Sequence, residues 1–358
     1  MNKKLIALAV AGVISGYGAA ANAADVSGFA VVDYTIADDN SKVAAAGATP
    51  AHNTAEGKFG AKGEVDFTAS PADGVTVRVD VDLNLDPGNT HSGAEIEQAM
   101  FAWSATDSVT VLGGVFNNPI GAEAEDKPEM AFNNHGAVYT ALDSQTALDG
   151  DNVAGLAVAG AVGPVTLTGA FLNDLGGAHE ENSIALIANM SPMAGLDIEV
   201  GMATQTENAA LATTVTPGGV NTSVGDVTNF NVVYTAVPNL TVGIDYLMAD
   251  EVLDTAYDLW AGYEIAGTGV TVNARISEVE YSSSDVTTIG VAAFEGVMGP
   301  TKLPSGDSET TAFNVTYKIA SNLKATLEIE STDVTVFAGS ANANTSEDLT
   351  TLKFTATF

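Results

Sequence analysis

Glu123, Glu125, Asp126 and Glu129 crowd one short stretch of the chain, which Pro119 and Pro128 stiffen. Two further charged runs are spaced differently. Lys58, Lys62, Glu64 and Asp66 are separated by even numbers of residues, and so are Arg78, Asp80 and Asp82. On extended backbone, even spacing places side chains on one face, so each run is a charged ribbon with an apolar reverse side. Ribbons of this kind do not make or break bonds. The four histidines, His52, His91, His135 and His179, belong to no H-E-x-x-H pattern, and the chain holds no G-x-S-x-G and no cysteine. A zinc hydrolase or a nucleophilic triad therefore has nothing to build on. His91 near Asp86 and His179 beside Glu180 come nearest to a catalytic pair, but all four histidines fall in stretches that read as solvated external loops. Clustered carboxylates do attract cations along a water-filled path. The expected activity is passage rather than turnover, with no enzyme chemistry and no cofactor.

Charged ribbons need strands to carry them, and the chain supplies these repeatedly. Across 75–85, Val75, Val77, Val79, Val81, Leu83 and Leu85 alternate with Thr76, Arg78, Asp80, Asp82 and Asn84, the period-two pattern of a strand with one apolar face. The pattern returns over 240–248, 313–319 and 323–329. Breaks rich in turn formers fall at 71–74, 105–108, 163–164, 192–195, 238–239, 266–269 and 321–322,. Longer polar stretches occupy 37–55, 86–93, 117–151, 173–181, 207–226, 250–254, 282–308 and 338–347. Short turns alternating with long loops predict an all-β, closed antiparallel transmembrane barrel of about sixteen strands. The Gly/Ala-rich span 152–162 is read as one of them. The span 282–311, interrupted by Pro300 and Pro304, leaves room for one strand or two.

Residues 1–23 read as a signal peptide: a basic start at Lys3 and Lys4, an apolar run over 5–14 and the A-x-A site Ala21-Asn22-Ala23,. The mature barrel is expected to occupy 24–358, within which no apolar run is long enough for a spanning helix. Without Lys3 and Lys4, the 12 basic residues fall to 10 against 45 acidic ones, a net charge of −35. So acidic a chain repels phosphate, so nucleic acid is not a partner. With no cysteine, an exported fold must rely on its own hydrogen bonds and packing.

Aromatic residues point the same way. Phe67, Trp103, Tyr234, Tyr263 and Tyr317 each fall just before a short turn, and Phe29 and Phe358 lie at the matching ends of the first and last strands, as a girdle at the periplasmic interface requires. The closing segment Leu352-Lys353-Phe354-Thr355-Ala356-Thr357-Phe358 is an amphipathic strand with a terminal Phe. From its opening Val26-Ser27-Gly28-Phe29 strand to Phe358, the chain resembles the Gram-negative general porin family, with Ala356 standing where a second aromatic is often found.

That resemblance implies a sixteen-stranded, usually trimeric barrel in the outer membrane, bordered by lipid and lipopolysaccharide and open to small hydrophilic solutes and cations. It also implies that the third loop, 117–151, folds inward, so that Glu123, Glu125, Asp126 and Glu129 face a basic wall of Lys58, Lys62 and Arg78. Alternation puts Asp33, Glu64, Asp66, Asp80 and Asp82 inside as well. Further along, it places Asp197, Glu199, Asp245, Asp258, Glu264, Glu328 and Glu330 inside against Arg275, Lys318, Lys324 and Lys353, an acid-dominated lumen that favours cations. A substrate-specific porin would want a lumenal track of aromatics, for which Trp260 is a single candidate. A non-conducting barrel would use its acidic loops as an adhesive or structural surface. Asp38-Asp39-Asn40 and Glu180-Glu181 could bridge calcium to lipopolysaccharide, but no twelve-residue calcium loop is present and no resident metal is expected.

Overall fold

The computed structural model describes residues 24–41, 52–54, 57–84, 93–146, 148–176, 181–205, 224–251, 253–281, 306–336 and 343–358. The proposed signal peptide, His91, His179, Glu180, Pro300 and Pro304 lie outside them.

Strand β1 (Asp25–Ser41) is followed by the three-residue β2 (His52–Thr54), then β3 (Lys58–Ala72), β4 (Val75–Asn84), β5 (Gly93–Thr106) and β6 (Val109–Asn117). Helix α1 (Ala137–Gln145) follows, ahead of β7 (Asn152–Val162), β8 (Val165–Leu172), β9 (Ser183–Met193), β10 (Leu196–Ala203) and β11 (Val227–Tyr234). The chain then continues through β12 (Leu240–Ala249), β13 (Leu253–Ile265), β14 (Val270–Tyr281), β15 (Gly306–Ala320), β16 (Leu323–Val336) and β17 (Ala343–Thr357).

Each long strand pairs antiparallel with its neighbour in sequence, and β1 pairs with both β3 and β17, so the sheet closes on itself as a sixteen-strand barrel. Closure removes the unpaired edges that would otherwise leave backbone groups unsatisfied in lipid. β2 lies beside the far end of β1, opposite Asp38. β14 pairs directly with β15, so a single strand of the wall follows 282–305.

All seven predicted breaks are tight connections between paired strands at one end of the barrel, the end that also carries both termini of the wall. Their backbone demands the residues found there. Asn239 holds a positive φ of 65°, and Gly195 at φ 74° lies so close to Ala236 that a Cβ would come within 2.6 Å of its backbone nitrogen. The Phe358 amide donates to Gly28 O at 3.1 Å, fastening the seam.

The outward face is apolar and exposed along strand after strand, with Leu186, Val200, Leu259, Phe313, Leu327 and Phe354 among its members. Such a belt suits lipid rather than water. Phe67, Trp103, Tyr263, Tyr317 and Phe358 are exposed on it near the short-turn end. Phe29 is not: it turns inward and is only 8 % exposed, because it shares the inward parity of Val31 and of its partner Glu64. The outward members of that strand are Val26, Val32 and Ile36. Ile329, 55 % exposed in the middle of β16, gives a test of which side meets lipid. Ile329→Arg is expected to lower the unfolding free energy by about 2–4 kcal/mol in urea titrations of vesicle-inserted protein. A loss below about 0.5 kcal/mol, usual for a water-exposed site, would contradict a lipid-facing belt.

Candidate functional site

The segment from Asn118 to Asp151 runs inside the barrel, and its attachments lie almost entirely on one half of the wall. Inward carboxylates accept from its backbone amides: Glu199 from Gly121 at 3.0 Å, Asp245 from Ala122 at 2.7 Å and Glu328 from Asn133 at 2.9 Å. Glu330 accepts from the Asn134 side chain at 2.9 Å. Inward cations donate to its carbonyls: Lys324 to Pro128 at 2.7 Å, Lys353 to Phe132 at 3.4 Å, and Arg275 to Asn134 at 3.1 Å and His135 at 3.2 Å.

Helix α1 borrows its cap from the wall. Its N-cap residue is Gly136, which has no side chain to offer, and Asp258 on β13 accepts from the Ala137 and Val138 amides, both at 2.9 Å. A carboxylate there satisfies amides left open by the helix and favours its positive end. Below the helix, Ile120, Val138, Ala141 and Leu142 pack against inward Leu172, Val227, Leu247, Leu253 and Val279. This is why the lumenal faces of β8–β14 carry aliphatic side chains where a water-filled interior would be polar.

Arg275, 4 % exposed, is the chief clamp. Its guanidinium meets Glu123 at 3.3 Å and Glu330 at 3.7 Å, and lies 4.5 Å from the Phe132 ring centroid. Burial pushes the Glu123 carboxyl up to about 7, against the pull of Arg275.

On the opposite side, between the segment and β3–β5, a cavity of about 320 Å³ remains. The charged part of its lining is mostly acidic: Glu64, Asp82, Glu95, Glu97, Glu125 and Asp126, with Lys62 and Lys127 as the cations. Burial raises Asp126 to about 6 in spite of Arg78, lifts Glu125 well above its ordinary range with Glu97 adding to the effect, and lowers Lys127 to about 7 with Lys62 and Lys353 contributing. His135 stacks on Tyr139 at 3.6 Å on the same side. It was read from sequence as an external loop residue, and it is inside because the segment carrying it folds into the barrel.

The four acids of the segment part company. Glu125 and Asp126 face this opening, whereas Glu123 and Glu129 line a smaller cavity of about 60 Å³ on the clamped side, with Met130, Phe132 and Trp260. The three wall cations also separate. Lys62 lines the opening, and Lys58 is exposed further along β3. Arg78 is held within its own ribbon, meeting Asp80 at 2.7 Å, Asp66 at 3.3 Å and Glu64 at 3.9 Å. Asp82 reaches the opening, while Asp33, opposite Lys353 on the β1–β17 seam, does not line it.

Glu95 and Glu97 are absent from the sequence expectations because of a bulge. The β4–β5 register pairs Asp80 with Gln98 but Val81 with Ile96, leaving Glu97 as an extra residue. Outward positions are odd at Phe101 and Trp103 but even at Ile96, so the pleat changes parity there, as a bulge requires. That change of parity between apolar residues was the available signal.

No protein-family model and no curated protein sequence matches the chain. Solved structures do. OprB of Pseudomonas putida superimposes with a TM-score of 0.68 at 11 % identity, covering 94 % of each chain. A variant of the porin of Rhodopseudomonas blastica gives a TM-score of 0.55 at 14 % identity, over 94 % of this chain and 100 % of that one. The chain shares the closed antiparallel barrel of porin structures.

Proposed function

We propose that the protein is a general-diffusion porin of the Gram-negative outer membrane, exported with cleavage after Ala23 and passing small hydrophilic solutes and ions with a preference for cations. The observation that carries this reading is the asymmetry of the lumen. One half is filled by a clamped segment, and the other is left open and lined by six carboxylates against two lysines. Carboxylates around a water path raise the local concentration of cations. The porin-like barrel of the structural neighbours supports passage in place of catalysis, and the trimer rests on that likeness alone.

A substrate-specific porin is less well supported. Trp260 and Phe132 lie behind the clamped segment, in the 60 Å³ cavity, and not along the opening. The direct test is reconstitution in planar bilayers. Stepwise conductance with a reversal potential on the cation side is expected in a KCl gradient. Anion preference would overturn the charge reading, and a silent barrel would favour the adhesive or structural role.

A further inference from the structure

Glu64, Glu97 and Asp126 each present a carboxylate oxygen within 4.8 Å of the others. Two come from the wall and one from the inward segment. Glu125 adjoins them: a Cβ on Gly150 would collide with Oε1 of both Glu125 and Glu97, so this glycine lets the two carboxylates meet. Oε1 of Glu125 accepts from Asn152 at 3.2 Å, whereas Oε2, on a residue only 9 % exposed, is buried and accepts no hydrogen bond. Glu64 is 3 % exposed. Arg78 sits 3.9 Å from Glu64 but lies closer to Asp66 and Asp80, and Lys62 and Lys127 line the same cavity. Like charges gathered out of water cannot all stay ionised unless a counter-charge joins them.

We propose that this cluster is a divalent-cation site, with Glu64 and Glu97 of the wall and Glu125 and Asp126 of the inward segment supplying its oxygens. An all-carboxylate donor set suits a hard cation. Ca²⁺ accepts six to eight oxygens in irregular geometry, and two oxygens facing each other across it stand about 4.8 Å apart. Mg²⁺ demands a stricter octahedron and holds its waters. A Ca²⁺ ion here joins the segment to β3 and β5, the side on which it otherwise has little attachment, and cancels much of the negative field at the opening. Its effect on current rests on the porin reading; the binding itself does not.

The experiment uses the full barrel, refolded and monitored by heat-modifiable migration, with Ca²⁺ alone as the probe. Calorimetric titration is expected to show one saturable site with a dissociation constant of about 10⁻⁴ to 10⁻³ M, and saturating Ca²⁺ should lower K⁺ conductance and cation preference together. Glu97→Gln and Glu125→Gln should each weaken binding by about tenfold or more, since affinity follows ligand charge, whereas Glu129→Gln, on the clamped side, should leave it unchanged. The inference is overturned by the absence of saturable binding in the folded barrel, or by Ca²⁺ effects that persist undiminished in both variants, as diffuse screening of the acidic loops would produce. A barrel that binds Ca²⁺ at these residues yet passes no current supports the site and removes the porin reading. A conducting channel without the site does the reverse.

Discussion

Arg275→Ala is expected to give a channel with larger single-channel conductance and greater open-channel noise, while the barrel keeps its sheet. Arg275 holds Glu123, Glu330 and two carbonyls of the inward segment at once. Its removal leaves two largely buried carboxylates without their counter-charge. Breaking a buried pair on one side costs about 3–5 kcal/mol, which falls on the attachment of the segment rather than on the inter-strand ladder. Arg275→Lys should recover only part of the difference, because an ammonium cannot reach several acceptors in the planar fork that a guanidinium offers. Identical conductance and noise in the wild type and Arg275→Ala would show that the clamp does not set the opening.

The second large effect concerns charge. Converting Glu64, Glu97, Glu125 and Asp126 together to their amides, and recording in the presence of a chelator, should move the reversal potential strongly toward the anion side. A unit charge 4 Å from an ion's path is worth about 1 kcal/mol in bulk water and about 4 kcal/mol at an effective dielectric of 20. Since 1.4 kcal/mol is a factor of ten, a loss of cation preference of more than about tenfold is expected, with only Asp82 and Glu95 then left to oppose Lys62 and Lys127 in the opening. Asp245→Asn, on the clamped side, should change selectivity far less, because Asp245 is occupied by the Ala122 amide at 2.7 Å. An unchanged permeability ratio in the fourfold variant would dismiss the acidic opening as the selective element.

Much of the wall could be read from residues alone. Alternation such as that of Val75 to Asn84 is set by the pleat, and breaks such as Pro238-Asn239 are set by local backbone energetics. Both are properties of a few neighbouring residues. What happens inside the barrel is not local. Alternation puts Glu199, Asp245, Asp258, Glu328 and Glu330 inside, but it cannot say that partners 78 to 196 residues away occupy them. The lumen consequently looked like a charged conduit, whereas eight of its charged side chains serve as hydrogen-bond acceptors or donors to the inward segment. Arg78 was likewise read as part of an open basic wall, because a sequence does not reveal that Asp66 and Asp80 surround it. Glu97 escapes for a third reason: a single inserted residue reverses the parity along β5, so alternation carried back from Phe101 and Trp103 would turn Glu97 outward.

The seam between β1 and β17 bears on how such a molecule comes into being. Thr35 and Thr351 share a hydrogen bond across it at 2.9 Å although 316 residues separate them. Every other wall pairing joins strands adjacent in the chain, apart from the short connection that carries β2. Local hairpins form early and cheaply, whereas joining distant ends must await the whole chain and overcome its configurational freedom. The ring is therefore expected to shut last, once every hairpin of the wall has formed. Until then the barrel is an open sheet with two sticky margins, and the polypeptide most in need of escort is one lacking only its final strand.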